Sequence, residues 1–294
     1  MRLRALAPGK INLCLFLAGE RGDGRHELVT LFESVSLCDE LIMSLAPGTG
    51  DEVWCPAVEG PNLALTALEA LRERGWGAPP VRVEIEKRIP IAGGMAGGSA
   101  DAAAVLRMAI ELAPGRPEEV AEIATSLGAD VPSQLVPGLV LGTGAGEVIE
   151  PLAPLAPHAV VIVRQRSALS TAEVYRHADR LGPHRDSAGL GRVFDELRSA
   201  LTPGRQLPAD LLVNELEPAA LSLCPAISDA LEAIRSAGAE HAFVCGSGPT
   251  AVGLFWGLGA PDRARAAAVS LASRFPGATS AVPVASGFGA PEVR

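Results

Sequence analysis

Residues 87–101 read KRIPIAGGMAGGSAD and contain two glycine pairs. An alternating strand pattern at 81–85 precedes the segment, and an Ala-rich helical pattern at 99–113 follows it. Glycine lets the backbone adopt positive φ and approach a ligand closely, and a helix N-terminus adds about half a positive charge. The segment therefore predicts an anion site suited to polyphosphate. The predicted contacts are Gly93, Gly94, Gly97, Gly98 and Ser99, whose hydroxyl can serve phosphate or Mg²⁺.

A structural alternative for this segment is a glycine-rich hairpin loop with Ser99 as the helix N-cap. Two glycine pairs that lead into a helix, with Ser99 and Asp101 at the junction, favour phosphate binding. The spacing fits neither a Walker loop nor a dinucleotide-binding fingerprint.

A lysine and an asparagine stand near the start of the chain, in APGKINL at 7–13. Lys10 and Asn12 are two residues apart in a predicted strand at 3–18, so both side chains project from one face. A cation beside an amide suits an anionic or hydroxylated substrate. The simpler alternative is a solvated lysine on a strand edge.

Two further segments carry candidate residues. VCGSGPT at 244–250 is by itself more typical of a tight turn than of a site. In LGADVP at 127–132, Asp130 is either a helix N-cap, with Pro132 in the first turn, or a carboxylate that accepts a substrate hydroxyl proton. Phosphoryl transfer depends mainly on positioning and charge neutralisation, and a nearby Lys⁺ keeps an Asp ionised.

Composition limits the class of partner. The net charge of −9 argues against nucleic-acid binding but permits an anionic small molecule. With 48% hydrophobic and only 4% aromatic residues, the core must consist mainly of Ala, Leu, Val and Ile. The five scattered cysteines form no CxxC pair, which fits a reducing cytoplasm better than a disulfide framework or a zinc site. No stretch approaches the roughly 18 apolar residues of a membrane span.

Strand and helix patterns alternate irregularly, which predicts an α+β or α/β fold with two domains. PLAPLAPH at 151–158 is the predicted linker, so the domains are expected at 1–155 and 156–294. Further strands are expected at 28–45, 159–163, 243–245 and 250–255, and loops at 19–27 and 182–191. Further helices are expected at 62–74, 118–127, 170–181, 193–201, 210–216, 226–237 and 261–275. Pro114 and Gly115 are expected to end the helix at 99–113.

The four segments, in this order and spacing, resemble the GHMP kinase family. SADAAAVL, GTGAGE, STAEVY and NELEPAALSL are similar to the branch that phosphorylates 4-diphosphocytidyl-2-C-methyl-D-erythritol, in the non-mevalonate isoprenoid pathway. The similarity covers nearly the whole chain. It implies a two-lobed α+β fold, with an N-terminal nucleotide-binding lobe, a ferredoxin-like C-terminal lobe and the active site in the cleft. ATP and Mg²⁺ are the implied cofactors, and the implied state is a monomer or homodimer.

The resemblance also assigns roles to residues. Lys10 and Asp130 are implied as the catalytic pair, with Asp130 as the base. ATP is implied along Pro90–Ala100, with Asn62 and Lys87 near the adenosine. Implied substrate contacts are Asn12, His26, Tyr175, Gly246 and Ser247.

The sequence departs from the family pattern at the substrate end. The family usually reads D-G-Y-H where this chain has Asp23-Gly-Arg-His26, and the family's tyrosine stacks on the cytosine ring. Arg25 lacks that aromatic face, but a guanidinium can stack on a base or grip a phosphate. The resemblance implies that Tyr175 keeps the opposite face of the base and that His26 keeps the edge contact. After DVP the family usually has an aromatic residue, whereas Ser133 and Gln134 follow here.

Three functions are therefore open. The first is a kinase for the cytidine compound, and the second is a related GHMP kinase acting on a cyclitol or sugar phosphate gripped by Arg25. The third is a non-catalytic nucleotide-binding protein, which the presence of both Lys10 and Asp130 disfavours. His26 as a polar loop residue and Tyr175 as a half-buried helix aromatic are the plain structural alternatives.

Overall fold

The computed structural model describes residues 2–113 and 117–294. The expected helix stop at Pro114 and Gly115 lies outside these residues. Within the described ranges, no helix combines the length and apolar character needed to cross a membrane.

Strands and helices alternate along the chain. The strands are β1 (Arg2–Glu20), β2 (His26–Leu45), β3 (Glu52–Trp54), β4 (Val81–Glu86), β5 (Leu139–Thr143), β6 (Val148–Leu152), β7 (His158–Val163), β8 (His241–Val244), β9 (Ala251–Trp256), β10 (Thr279–Ala281) and β11 (Glu292–Val293). The helices are α1 (Leu63–Glu73), α2 (Gly97–Leu112), α3 (Pro117–Leu127), α4 (Val131–Leu135), α5 (Thr171–Leu181), α6 (Ser187–Ala200), α7 (Glu217–Leu223), α8 (Ala226–Ser236) and α9 (Ala260–Leu271).

The first sheet has seven strands and is built on the long antiparallel pair β1 and β2. Its main order is β11-β1-β2-β4-β3, and β5 joins β2 to β6. The β1–β2 register shifts between Pro8 and Lys10 and again between Asn12 and Cys14. The two shifts flank the short paired stretch from Lys10 to Asn12, and such irregularities bend a strand and re-aim its side chains.

The second sheet is antiparallel, with the order β10-β7-β9-β8. In chain order this is the fourth, first, third and second strand of the sheet, which is the ferredoxin-like arrangement. Helices α8 and α9 pack on it. The predicted mixed fold with a ferredoxin-like second lobe is confirmed.

The chain passes from one sheet to the other between β6 and β7. The expected linker at 151–158 contains the last residues of β6 and the first residue of β7, so the connection is 153–157. β11 pairs with β1, which returns residues 292–293 to the first sheet. Glu33 of β2 and His158 of β7 form a buried contact across this junction, with Glu33 Oε2 and His158 Nε2 2.6 Å apart.

Helix α2 fills the core beneath the first sheet with small side chains. Ala100, Ala102, Ala103, Ala104 and Ala109 are all fully buried. Alanine lets a helix lie close to a sheet and has the best intrinsic helix propensity. The expected core of small and branched aliphatic residues is confirmed, and within it α2 packs against β1.

Two predicted elements differ from the structure. Helix α6 begins at Ser187, inside the expected loop at 182–191, because Asp186 caps it by accepting a bond from the Gly189 N–H at 2.6 Å. The predicted helix at 210–216 is wrong. This segment is a single 3₁₀ turn at Ala209–Leu211 followed by an extended stretch, where Asn214 pairs with Leu15.

Candidate active site

A cleft of about 1040 Å³ collects most of the residues expected to act. It is bounded by β1, the loop before α2, the N-terminus of α4, helix α5 and the turn at 246–248. Its lining includes Lys10, Asn12, Arg25, His26, Asn62, Lys87, Pro90, Gly93, Gly94, Gly97, Gly98, Ser99, Asp130, Tyr175, Gly246 and Ser247. Segments far apart in sequence therefore share one site.

The glycine loop packs directly on the turn after β8. Gly94 has φ +77°, and a Cβ there would lie 2.3 Å from the carbonyl oxygen of Cys245. At Gly98, by contrast, a Cβ would meet no described atom within 4 Å. One glycine is thus required by the fold, whereas the other borders open space in the cleft.

Ser99 lies in the first turn of α2 and is not the N-cap, so that alternative is wrong. The N-cap is Ala96, in the left-handed region at φ 54°, and among the described residues no side chain caps this helix end. The first N–H groups of a helix lack intrahelical partners and favour anions. The cleft therefore meets an uncapped, half-exposed helix N-terminus that can hold phosphate.

Ala100 needs a correction. It is fully buried, and its N–H donates to the Ala96 carbonyl within α2 at 2.9 Å. Its neighbours Ser99 and Asp101 line the cleft, but Ala100 faces the core because successive helical residues point about 100° apart. The structure gives Ala100 no surface for a ligand.

Lys10 and Asn12 lie side by side, which confirms that they share one strand face. Lys10 Nζ donates to Asn12 Oδ1 at 2.7 Å and to the Gly94 carbonyl at 2.8 Å. Asn12 in turn donates through Nδ2 to Thr30 Oγ1 at 2.8 Å. A lysine ammonium has three donors, so one remains for a ligand after these two contacts.

The turn at 244–250 reaches the same point from the second lobe. A Cβ at Gly246, which has φ +54°, would lie 3.0 Å from Asn12 Oδ1 and 3.2 Å from Lys10 Nζ. Asn214 holds this turn, since its Nδ2 donates to the Val244 and Gly246 carbonyls at 2.8 and 2.7 Å. The sequence reasoning missed Asn214, although NELEPAALSL was among the matching segments.

Asp130 occupies the N-cap position of α4, but within the described chain its side chain makes no capping bond. Its carboxylate is therefore free to face the cleft that it lines. Burial and the Asp130 charge both raise the pKa of Tyr175. Burial also raises the pKa of the Cys245 thiol, which Lys10 lowers and Asp130 raises. Lys10 and Asp130 both line the same cleft.

Lys87 lies beneath the glycine loop in a buried ionic cluster. Its ammonium contacts the Asp39 carboxylate and donates to Asp101 Oδ2, the latter at 2.7 Å. Burial raises the pKa of Asp101 to about 7, although Lys87 acts in the opposite direction. Asp101 Oδ1 is buried without a partner among the described atoms. Asn62, also on the cleft, caps α1 by accepting from the Ala64 N–H at 2.9 Å.

The other end of the cleft is built from side chains. His26 Nε2 lies 2.7 Å from Asp179 Oδ1, and the His26 and Tyr175 ring centroids are 5.1 Å apart. His184 Nε2 contacts the same Asp179 oxygen at 2.7 Å. His26, Asp179 and His184 each offer an atom that could ligate a metal, and these atoms lie within 4.8 Å of one another. Sequence reasoning missed Asp179 and His184, because nothing local marks a contact that spans 153 residues.

Arg25 lies at the rim of this end and is about half exposed. Its Nη2 is 3.0 Å from Asp23 Oδ2, so the guanidinium is paired within its own turn. Ser133 and Gln134, which replace the expected aromatic, are buried in α4.

Comparison with known proteins identifies relatives for most of the chain. Residues 62–138 match the family described as GHMP kinases N terminal domain, and residues 194–273 match GHMP kinases C terminal. The chain is 39% identical over 277 residues to a 4-diphosphocytidyl-2-C-methyl-D-erythritol kinase of Nocardioides sp., covering 90% of this chain and 91% of the relative. It is 41% identical over 269 residues to the kinase of that name from Streptomyces coelicolor, covering 85% and 86%.

Solved structures show the same likeness. A crystal structure of 4-(cytidine 5'-diphospho)-2C-methyl-D-erythritol kinase is similar with a TM-score of 0.74 and 32% identity, covering 95% of this chain and 98% of the other. A homoserine kinase from Cytophaga hutchinsonii shares the fold at a TM-score of 0.72 and 18% identity, covering 100% and 97%. The two-lobed architecture is therefore common to kinases with different acceptors.

Proposed function

This chain belongs to the GHMP kinase family of ATP-dependent phosphotransferases, and we propose that it phosphorylates a hydroxyl group of 4-diphosphocytidyl-2-C-methyl-D-erythritol. Relatives about 40% identical over most of their length bear the name of that activity. The observation that carries the proposal is the composition of the cleft. It joins an uncapped glycine-rich helix N-terminus, the Lys10 and Asp130 charges, and the His26–Tyr175 pair.

Asp130 is the proposed base. It takes the proton of the acceptor hydroxyl while the hydroxyl oxygen forms a bond to the γ-phosphorus of ATP. The bond between that phosphorus and the bridging β–γ oxygen breaks, and ADP leaves with the electron pair. The free N–H of Lys10 stabilises the negative charge on the transferred group.

The glycine loop and the N-terminus of α2 are proposed to hold the nucleotide phosphates. The open space beside Gly98 and the uncapped first turn fit an anion of that size and charge. Magnesium prefers oxygen ligands and commonly bridges protein and phosphate, where it neutralises phosphate charge. The Ser99 hydroxyl, on the cleft in that first turn, is the proposed contact for Mg²⁺.

The acceptor end is proposed to bind the cytosine. Tyr175 is proposed to offer one aromatic face and His26 an edge contact, and the Arg25 guanidinium on the same lining is proposed to stack on the base or bind the diphosphate. With all five cysteines buried as free thiols, we propose a reducing cytoplasm as the location.

A substrate panel tests the proposal. Purified enzyme with ATP and Mg²⁺ is assayed on the cytidine compound and on cyclitols, sugars and their phosphates. Turnover of the cytidine compound with the highest kcat/KM is expected, and no detectable turnover would overturn the proposed acceptor.

The same assay tests the base. Asp130→Asn is expected to lower kcat by about 10²- to 10⁴-fold while the ATP affinity is retained. A near wild-type rate would show that Asp130 is not the base.

A further inference from the structure

Two histidines converge on one carboxylate oxygen at the acceptor end of the cleft. Asp179 Oδ1 lies 2.7 Å from His26 Nε2 and 2.7 Å from His184 Nε2. The two imidazole rings are perpendicular, with centroids 5.4 Å apart. Burial raises the pKa of Asp179, but the two histidine contacts outweigh it and hold that pKa below its usual value. An ionised carboxylate oxygen accepts hydrogen bonds and donates none, so both Nε2 atoms must be the donors.

This arrangement fixes the proton on His26. A neutral imidazole has one donor and one acceptor nitrogen, and the partner of one nitrogen decides the role of the other. Because Nε2–H donates to Asp179, Nδ1 keeps its lone pair. His26 lines the cleft and is only 7% exposed, so Nδ1 is the ring nitrogen left for a ligand.

We propose that Asp179 is a positioning residue that holds His26 in the Nε2–H tautomer, so that Nδ1 accepts a hydrogen bond from the exocyclic amino group of cytosine. Uracil presents a carbonyl oxygen at that position, and two acceptors would then face each other. Asp179 thereby makes the acceptor site selective for cytidine over uridine. This inference rests on the proposed function, since it assumes that the cytosine reaches His26.

The distances favour this role over a metal site. Metal ligation by both histidines would require the Nε2 atoms to lose the protons that they donate to Asp179. Nitrogen and oxygen ligands of a tetrahedral zinc stand about 2.0–2.2 Å from the ion and thus about 3.3–3.5 Å from each other. The observed 2.7 Å separations are hydrogen-bond lengths instead.

Nitrogen NMR reads the tautomer directly and needs no substrate. The chain has five histidines, so ¹⁵N-histidine labelling with assignment by single substitutions is practical. At pH 8 the wild type is expected to show His26 as the Nε2–H tautomer, and Asp179→Ala is expected to give a mixture. An Nδ1–H tautomer in the wild type, or an unchanged His26 in Asp179→Ala, would overturn the proposal.

Kinetics with two acceptors test the selectivity. Asp179→Ala is expected to raise KM for the cytidine compound roughly 10- to 100-fold, with kcat within about threefold, because binding loses an oriented acceptor. The ratio of kcat/KM for the cytidine compound to that for its uridine analogue should fall at least tenfold. Asp179→Asn keeps an acceptor oxygen, so its preference for the cytidine compound should be close to that of the wild type. If Asp179→Ala keeps the wild-type ratio, Asp179 does not control selectivity.

Two further variants separate positioning from general damage. Glu173→Ala removes an exposed carboxylate from the same helix and should leave the ratio unchanged. His184→Ala leaves the bond between His26 and Asp179 intact, so KM should stay within about threefold. A loss in His184→Ala equal to that in Asp179→Ala would assign the role to all three residues together, as in a metal site, and would refute a tautomer effect of Asp179.

The failure of this inference is distinguishable from failure of the proposed function. A wild type that never turns over the cytidine compound refutes the proposed acceptor. An active wild type that uses the uridine analogue equally well refutes only the role of Asp179. Melting temperature and ATP affinity, measured for each variant, identify any variant that fails to fold.

Discussion

The two ends of the cleft are assembled in different ways. At the nucleotide end, a glycine backbone lies in each contact, as where Gly94 abuts the Cys245 carbonyl and Gly246 abuts the Asn12 side chain. At the acceptor end, chain segments meet through side chains, as in the contact between His26 and Asp179. Where a backbone is in close contact, only glycine fits, because any side chain would clash. A contact between side chains can be replaced by another pair of similar size and polarity. The nucleotide end is thus confined to a few residue types, and the acceptor end is free to vary.

The largest expected effect comes from breaking the backbone contact. Gly94→Ala would place a Cβ 2.3 Å from the Cys245 carbonyl, at a positive φ. The free energy of unfolding should fall by about 3–5 kcal/mol, and activity should be lost, because neither backbone can move aside without strain. Urea unfolding and an ATP-binding assay measure both effects.

Gly98→Ala is the matched control at the same end. Its Cβ would meet no described atom within 4 Å, and it lies within α2, where alanine is favoured by about 0.5–1 kcal/mol over glycine. Stability should therefore be equal or higher, while ATP affinity falls because the methyl group enters the proposed phosphate space. Unchanged ATP affinity would contradict the placement of the phosphates beside Gly98.

Asn214→Ala tests how far the nucleotide end of the cleft depends on one side chain. Two buried carbonyls, those of Val244 and Gly246, would lose their amide donor. A loss of about 2–4 kcal/mol in unfolding free energy is expected, with a lower kcat/KM because the turn near Lys10 loosens. Thermal unfolding with parallel kinetics provides the measurement. A stable but inactive variant would instead assign Asn214 a direct role in the reaction.

Glu33→Gln tests whether the contact at the junction between the two sheets affects stability without affecting either end of the cleft. Burial lowers the pKa of His158, but the bond and charge of Glu33 outweigh it, so the folded pKa is raised. The resulting stabilisation is present below the unfolded pKa of about 6.5 and is lost as pH rises through the folded value. The variant should thus be about 1–2 kcal/mol less stable at pH 6 and progressively closer to wild type toward pH 9. Urea unfolding at several pH values tests this, and kcat/KM should stay unchanged.

The smallest expected effect concerns the acceptor end of the cleft, where one side chain can be exchanged for another. Arg25→Tyr removes a half-exposed ion pair with Asp23, which contributes little to stability, and supplies an aromatic face. KM for the cytidine compound should fall about two- to fivefold through better stacking, with ATP affinity unchanged. Steady-state kinetics measure both values. A large loss of activity would show that Arg25 binds its own group on the substrate.

The same contrast explains what the sequence could predict. The glycine segment, Lys10 and Asn12 were predictable because turn chemistry and strand alternation act over a few residues. Asp179 and His184 were not predictable, since their partner His26 is more than 150 residues away. The segment at 210–216 was misjudged because its apolar residues imitate helical spacing, while Asn214 actually anchors an extended stretch. A family pattern names Ala100 as part of a continuous segment, but successive helical residues point about 100° apart, and Ala100 faces the core.

The contacts around Gly94 also restrict how the cleft can open. The Gly94 carbonyl accepts from Lys10 Nζ at 2.8 Å and from Cys245 Sγ at 3.4 Å, and the Lys10 N–H donates to the Met95 carbonyl. The contact from Cys245 joins the two lobes, and Gly94 also packs against the Cys245 carbonyl, so a hinge motion that separated the lobes here would disrupt both of these contacts. We therefore expect the cleft to open mainly at its rim, where residues of the turn at 21–25 and of helix α5 line it. Small movements of that rim would then be enough for the acceptor to enter and leave, while the two lobes stay closely packed at the nucleotide end.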